Sequence, residues 1–263
     1  MKKAFLLICV IAIAALAHAY NNTYAVIVAV ADYKNFGTYD GDLNYTVNDA
    51  RLFYDFLRSK KGGSVPAENI VYLTDSKASK ANILAKGKAL FSKAKENDRV
   101  IFFFSGHGSK GCFIPYDATE YGGNYLYFSE VKSIFKSSPS NTKLLFADAC
   151  FSGSMKASTS KSVQETMKKE RKASSNMNIA VMMSCSGNET SMESSDLHQG
   201  LFTYYLIKGL GGQANSDKNK YVTIKELFSY VYRQTRAKAA SMGETQTPEL
   251  FGNFDLRLIV ANN

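Results

Sequence analysis

The sequence predicts an α/β protein: a three-layer α/β/α sandwich on a mainly parallel central sheet of about six strands. Three observations carry that prediction. Strand-like and helix-like segments alternate along the chain, the pattern of a parallel sheet covered on both faces. The strand-like segments are largely continuous apolar runs, as in strands buried on both sides. Two of those runs end in a potentially reactive side chain beside glycine, at the end of the strand where open parallel sheets gather their chemistry.

The elements follow in order. Tyr24–Ala31 is an unbroken apolar run and reads as the first strand. A helix is expected over residues 47–60, with Ala50, Phe53, Tyr54 and Leu57 on one side and Gly62-Gly63 as its stop. Asn69–Thr74 is the second strand, and Ser79 is placed to cap a helix carrying Ile83, Leu84, Leu90 and Phe91. Val100–Phe104 and Leu144–Ala147 are the third and fourth strands, with a short helix over Ser129–Phe135 between them. Asn178–Ser184 is the fifth. Helices are expected over Leu201–Leu210, closed by Gly211-Gly212, and from Thr223 to about Ala240. Phe251–Val260 supplies the last strand. No internal repeat and no second domain is visible, so residues 20–263 read as one domain.

Two stretches stand apart. Residues 1–19 have a basic start (Lys2, Lys3), an apolar core (Ala4–Leu16) and a small-x-small end (Ala17-His18-Ala19). That is the pattern of a secretory signal peptide cleaved after Ala19, which predicts a secreted or periplasmic protein. No later apolar run approaches the ~20 residues needed to cross a bilayer, so no membrane association is expected after cleavage. Residues 154–176 are mostly Ser, Lys, Met, Thr and Glu, and read as a basic, mobile linker; a helix over Val163–Lys172 is the alternative.

Charge and cysteines narrow the function classes. The formal charge of +9 becomes +7 without Lys2 and Lys3. The excess gathers at Lys156, Lys161, Lys168, Lys169, Arg171 and Lys172, with no aromatic residue among them. Nucleic-acid binding would interleave basic and aromatic residues on a folded face, so no nucleic-acid partner is expected. Cys112, Cys150 and Cys185 remain after residue 19, an odd number that leaves at least one thiol free. Cys112 and Cys185 are expected buried and unpaired. No Cys-x-x-Cys spacing suggests structural zinc.

The chemistry concentrates in two short motifs. Ser105-Gly-His-Gly108 follows the run Arg99–Phe104, and Asp148-Ala-Cys-Phe-Ser-Gly153 follows Lys143–Ala147. A thiol and an imidazole delivered by neighbouring strands form a nucleophile and its base. The thiolate is the attacking species, and a free thiol near pKa ~8.5 is mostly protonated at neutral pH. His107 would accept that proton and return it to a leaving amine. His198 lies in a polar loop, Ser191–Gln199, with no strand to deliver it.

This pairing resembles the caspase-like peptidases (peptidase C14) and, among them, bacterial metacaspase-like proteins. Leu43-Asn-Tyr-Thr-Val-Asn-Asp-Ala-Arg51 is similar to the metacaspase segment ending in Asn-Asp-Ala, and Gly200-Leu-Phe-Thr-Tyr-Tyr-Leu206 to a late helix of the family. The resemblance spans about Tyr24–Val260 and implies a cysteine endopeptidase working through an acyl-enzyme thioester, with Cys150 and His107 catalytic. It places the oxyanion hole at the backbone amides of Gly108 and Cys150. It places Asp49, Ser105 and Asp148 around the pocket for the residue before the cut. Two carboxylates and a hydroxyl there would accept Arg or Lys and repel Asp. Caspases that cut after Asp carry Gln where Asp148 stands. The partners implied are proteins or peptides with Arg or Lys before the scissile bond, and the linker lysines and Arg171 become candidate self-processing sites.

In one respect the chain departs from the metacaspase pattern. The acidic cluster that binds calcium in many metacaspases is mostly missing: Asp117 is similar to its first member, but the later positions fall at Phe128-Ser129-Glu130 and near Ala157. Asn215, Asp217, Asn219 and Glu226 have loose calcium-loop spacing without Asp at the first position or Gly at the sixth. No cofactor and no metal is therefore expected. Two rival readings share these motifs: a catalytically silent caspase-like binding module, and a transpeptidase that resolves the same acyl-enzyme with an amine.

Overall fold

The structure is a computed structural model, and it describes residues 20–36, 42–109, 111–119, 122–149, 179–186 and 189–262. The segments 1–19 and 154–176 and the helix weighed for residues 163–172 lie outside the described residues, as does Cys150.

Six strands form the main sheet: β1 (Thr23–Ala29), β2 (Ile70–Thr74), β3 (Arg99–Ser105), β7 (Thr142–Asp148), β8 (Ala180–Met183) and β12 (Glu249–Phe251); the short strands β4 (Gly108–Ser109), β5 (Cys112–Phe113), β6 (Leu126–Tyr127), β9 (Glu193–Ser194), β10 (Gln199–Gly200), β11 (Tyr221–Thr223) and β13 (Ile259–Asn262) pair in small sheets outside it. Their order is β12-β8-β7-β3-β1-β2; only β12, at an edge, runs antiparallel. Parallel neighbours need crossovers, and helices provide them on both faces.

Strand alternation sorts the core. Side chains on successive residues point to opposite faces, so Val26, Val28, Phe102, Phe104, Leu145 and Val181 join one hydrophobic cluster. Ala25, Ile27, Ile101, Phe103, Leu144, Phe146 and Met182 join the other. The first is covered by α2 (Lys80–Phe91) and α3 (Phe128–Lys136), through Ile83, Leu90, Phe91, Val131 and Phe135. The second is covered by α1 (Thr46–Arg58), α4 (Leu201–Lys208) and α5 (Ile224–Ser241), through Phe53, Leu57, Phe202, Leu206, Leu227 and Val231. Phe53 of α1 stacks on Phe103 of β3 with ring centroids 4.5 Å apart. Burying each such side chain contributes roughly 2 kcal/mol.

Helix ends follow local chemistry. The Ser79 hydroxyl accepts from the Asn82 amide at 3.3 Å and starts α2 where its capping position predicts. Thr223 and Glu226 close a reciprocal capping box on α5.

One predicted element is wrong. Phe251–Val260 is not one strand: β12 ends at Phe251, and a separate strand β13 (Ile259–Asn262) pairs antiparallel with β11 (Tyr221–Thr223), away from the main sheet. Between them Gly252 takes φ 123°, Arg257 forks onto the Asp255 carboxylate, and the Leu258 amide donates to the Asp255 carbonyl at 2.9 Å. That turn chemistry overrides the strand pattern suggested by the interspersed apolar residues. Elsewhere the boundaries move little: Asn69 belongs to a 3₁₀ turn before β2, and α4 ends at Lys208 and passes into a π turn.

Candidate active site

β3 and β7 pair with Ser105 opposite Asp148. Both side chains continue the parity of Phe103 and Phe146, so both emerge on the α1/α4 face at the carboxyl ends of their strands. Asp49 meets them from the first turn of α1. Its carboxylate does not serve the start of its own helix. Instead Oδ2 accepts from the Ser105 hydroxyl at 3.0 Å and Oδ1 from the Gly200 amide at 3.0 Å. Asp148 Oδ2 accepts from the Thr203 amide (3.0 Å) and hydroxyl (2.7 Å) at the start of α4, and Oδ1 from the Ser191 hydroxyl by a short hydrogen bond.

Gly200 sits between the two acids. A Cβ built there would lie 2.2 Å from Asp148 Oδ2 and 3.0 Å from Asp49 Oδ2, so those oxygens approach each other within about 5 Å. Any other residue at 200 would push them apart. Asp49 is 1% exposed and Asp148 6%. Burial pushes the Asp49 carboxyl well above its usual range, and Asp148 beside it pushes further. Burial also raises Asp148, but the Ser191 and Thr203 donors oppose the rise. The pair therefore holds a proton to higher pH than exposed carboxyls would, with burial as the main cause. Among the described residues no Lys, Arg or His forms an ion pair with either acid.

His107 lines the same cavity, of about 80 Å³, as Asp49, Ser105, Asp148, Ser191, Glu193 and Gly200. It leaves β3 and is held from behind: its amide donates to the Tyr33 hydroxyl at 2.7 Å, its carbonyl accepts from the Ile114 amide at 3.0 Å, and its ring lies 5.0 Å from the Tyr33 ring. Gly108 follows in β4 (Gly108–Ser109), which pairs with β5 (Cys112–Phe113). On the β7 side Ala149 is gripped by Ser184, whose hydroxyl accepts from its amide at 3.0 Å and donates to its carbonyl at 3.1 Å. Cys112 and Cys185 are both buried.

Sequence reading missed Ser191, Glu193, Thr203 and Tyr33. Glu193 bonds the Tyr45 amide at 2.7 Å and the Asn44 amide at 3.1 Å, binding its loop to the entry of α1. Thr203 sits inside the similar Gly200–Leu206 segment, the one signal that reached it; nothing local marks the other three.

The residues weighed for metal have other partners. Asp117 accepts from the Lys80 amide at 2.8 Å and the Asn124 side chain at 3.2 Å. Burial pushes the Glu226 carboxyl up, but the hydrogen bonds it accepts from Thr223 and Ser216 together outweigh that push and hold its pKa down to about 2. Among the described residues no group of three or more His, Cys, Asp or Glu is arranged to hold a metal ion.

A parallel sheet covered on both faces, with a histidine and paired acids at the carboxyl ends of adjacent strands, defines a class: an α/β protein with its site at the strand ends. The sequence profile of the caspase domain, peptidase C14, matches residues 22–257, and the chain belongs to that family. It is similar to Metacaspase-1A of Aspergillus oryzae, 37% identical over 82 residues that cover 29% of this chain and 19% of that protein. It is also similar to a probable protease of a Desulfuromonadales bacterium, 26% identical over 254 residues that cover 80% of this chain and 30% of that protein. The chain thus spans under a third of the length of either relative. Its fold matches the crystal structure of a Geobacter sulfurreducens protein with a TM-score of 0.59 at 16% identity, over 91% of this chain and 97% of that one.

Proposed function

We infer that the protein is an exported cysteine endopeptidase that cuts after Arg or Lys. The observation that carries this reading is the shared cavity: the paired acids Asp49 and Asp148 open onto the space that His107 lines. A guanidinium or ammonium entering there would find two carboxylates that have no cation among the described residues, and an acidic side chain would be repelled.

In the proposed reaction His107 takes the Cys150 proton as sulfur attacks the scissile carbonyl. The oxyanion that forms is held by the Gly108 and Cys150 amides. Collapse breaks the C–N bond, His107 protonates the leaving amine, and the acyl group stays on sulfur as a thioester. Water, deprotonated by His107, then attacks that thioester, and sulfur leaves to restore the dyad. Release after residue 19 and self-processing within residues 156–172 complete the proposal, the latter because a basic linker suits an enzyme with an acidic pocket.

The test is a peptide library varied at the residue before the cut, with wild type, Cys150→Ala and His107→Ala. Arg and Lys peptides should be cut, Asp peptides should not, and each variant should lose at least about 10³-fold in kcat. Equal cleavage after Asp and Arg would sink the specificity. Wild type should also appear as two fragments split between Lys156 and Lys172, while Cys150→Ala stays whole; equal nicking of both rejects self-processing. EDTA should leave turnover within about twofold, since the site chemistry is all side chain and backbone.

A further inference from the structure

Gln246 lies between α5 and β12, far from the motifs in sequence, yet it is 0% exposed and its amide is used at both ends. Oε1 accepts from the Met192 amide at 3.1 Å, and Nε2 donates to the Ser184 carbonyl at 3.0 Å, with a longer contact of 3.4 Å to the Ser191 hydroxyl. An amide N–H on one side and a carbonyl on the other fix which end of the Gln246 side chain is oxygen.

The two serines that Gln246 touches grip consecutive residues. Ser191 donates to the Asp148 carboxylate, and Ser184 brackets the Ala149 backbone. Asp148 and Ala149 are the two residues before Cys150. A hydroxyl that accepts from Gln246 Nε2 keeps its own proton aimed at Asp148, so one buried amide sets both the acid and the entry to the nucleophile. Next to it, Thr247 donates to Glu189 through its amide (2.6 Å) and hydroxyl (2.9 Å), closing the same tie between the two segments.

We propose that Gln246 is a positioning residue for substrate recognition, acting through Ser191 and Ser184 on Asp148 and the Ala149 backbone before Cys150. The inference rests on the reading of Asp148 as the acid that receives a basic side chain. Gln246→Met keeps the volume and removes every hydrogen bond; Gln246→Glu keeps the acceptor, removes the donors and turns an anion toward the Ser184 carbonyl.

The experiment compares the full chain and both variants in three readouts: thermal unfolding with cleavage of Arg peptides, alkylation of Cys150 by iodoacetamide followed by mass mapping, and hydrogen exchange over residues 189–193. Gln246→Met should unfold cooperatively and raise KM about tenfold with kcat within about threefold, as expected for losing hydrogen bonds that orient a binding group. Alkylation, which needs no pocket, should stay within about twofold, and exchange over 189–193 should quicken about tenfold. Gln246→Glu should raise KM further. Unchanged KM with unchanged exchange overturns the proposal, as does a fall in kcat and alkylation at constant KM, which would assign Gln246 to holding the Ala149 backbone alone. If wild type itself cuts no Arg peptide, the cleavage reading falls while exchange still decides this one: quickened exchange supports the hold on the loop, and unaltered exchange overturns it.

Discussion

The two ends of strand β3 both bury charge, and they handle it in opposite ways. At the amino end Arg99 is 3% exposed with no carboxylate partner among the described residues. Its Nε donates to the Thr23 hydroxyl at 3.2 Å, its Nη1 makes a short bond to the Val260 carbonyl, and its guanidinium lies 3.9 Å from the Tyr20 ring centroid. Burial lowers its pKa, partly offset by Tyr20. It works as a staple that joins the first strand to β13. At the carboxyl end Asp49 and Asp148 are bound by five hydroxyl and amide donors, but two like charges still face each other across Gly200. The difference teaches where to look for function. A buried charge whose donors and acceptors close on the chain itself is structural, whereas like charges packed together are stable only with a proton or a visiting cation between them.

Breaking the carboxyl end should cost activity and spare the fold. Asp148→Asn should lower kcat/KM for Arg peptides about 100-fold, the worth of roughly 3 kcal/mol for a charge-assisted contact. The Asn amide can still accept from Thr203 and donate to Ser191, so the melting temperature should hold or rise as a like-charge repulsion disappears. A drop in stability with activity intact would reverse the comparison. Arg99→Met probes the amino end. It leaves the Val260 carbonyl without its donor, so stability should fall by about 2 kcal/mol in urea unfolding, with turnover per folded molecule within about twofold. Equal damage to activity and stability would mean that the two ends are coupled.

The smallest effect sharpens the contrast through pH. Both carboxyls have folded values raised above those of the unfolded chain. Their protonation therefore stabilises the empty protein fully below the unfolded value, and that contribution is lost as pH rises through the folded values. A basic substrate needs the ionised pair, so KM for Arg peptides should fall as pH rises through the same window. The KM–pH curve of Asp49→Asn should flatten severalfold. A KM that climbs with pH in this window would refute the assignment.

Some of this was written locally in the chain. The apolar runs of β1, β3 and β7 are continuous, of strand length and bounded by polar residues, so composition and length located them, and Ser79 and Thr223 announced their helices through capping chemistry. The motifs at Ser105–Gly108 and Asp148–Gly153, together with the Asn-Asp-Ala segment, pointed to His107, Cys150, Asp49 and Asp148. The split of residues 251–260 escaped notice because a four-residue turn held by Asp255 and Arg257 outweighs interspersed apolar residues that read as strand.

What the sequence by itself determined is the layered fold and the order of its elements, and it nominated His107 and Cys150 as the candidate reactive side chains, because each of these readings depends on spacing within one segment. Only the tertiary structure decided that Asp49 and Asp148 share one cavity, that Gly200 lets them approach, and that Ser191, Thr203 and Gln246 hold Asp148 from three other segments. Ser191, Thr203 and Gln246 lie 43 to 98 positions along the chain from Asp148. The hydrogen bonds joining them exist only after the sheet has brought its carboxyl ends, α1 and α4 together, and no local propensity encodes a contact made at that distance.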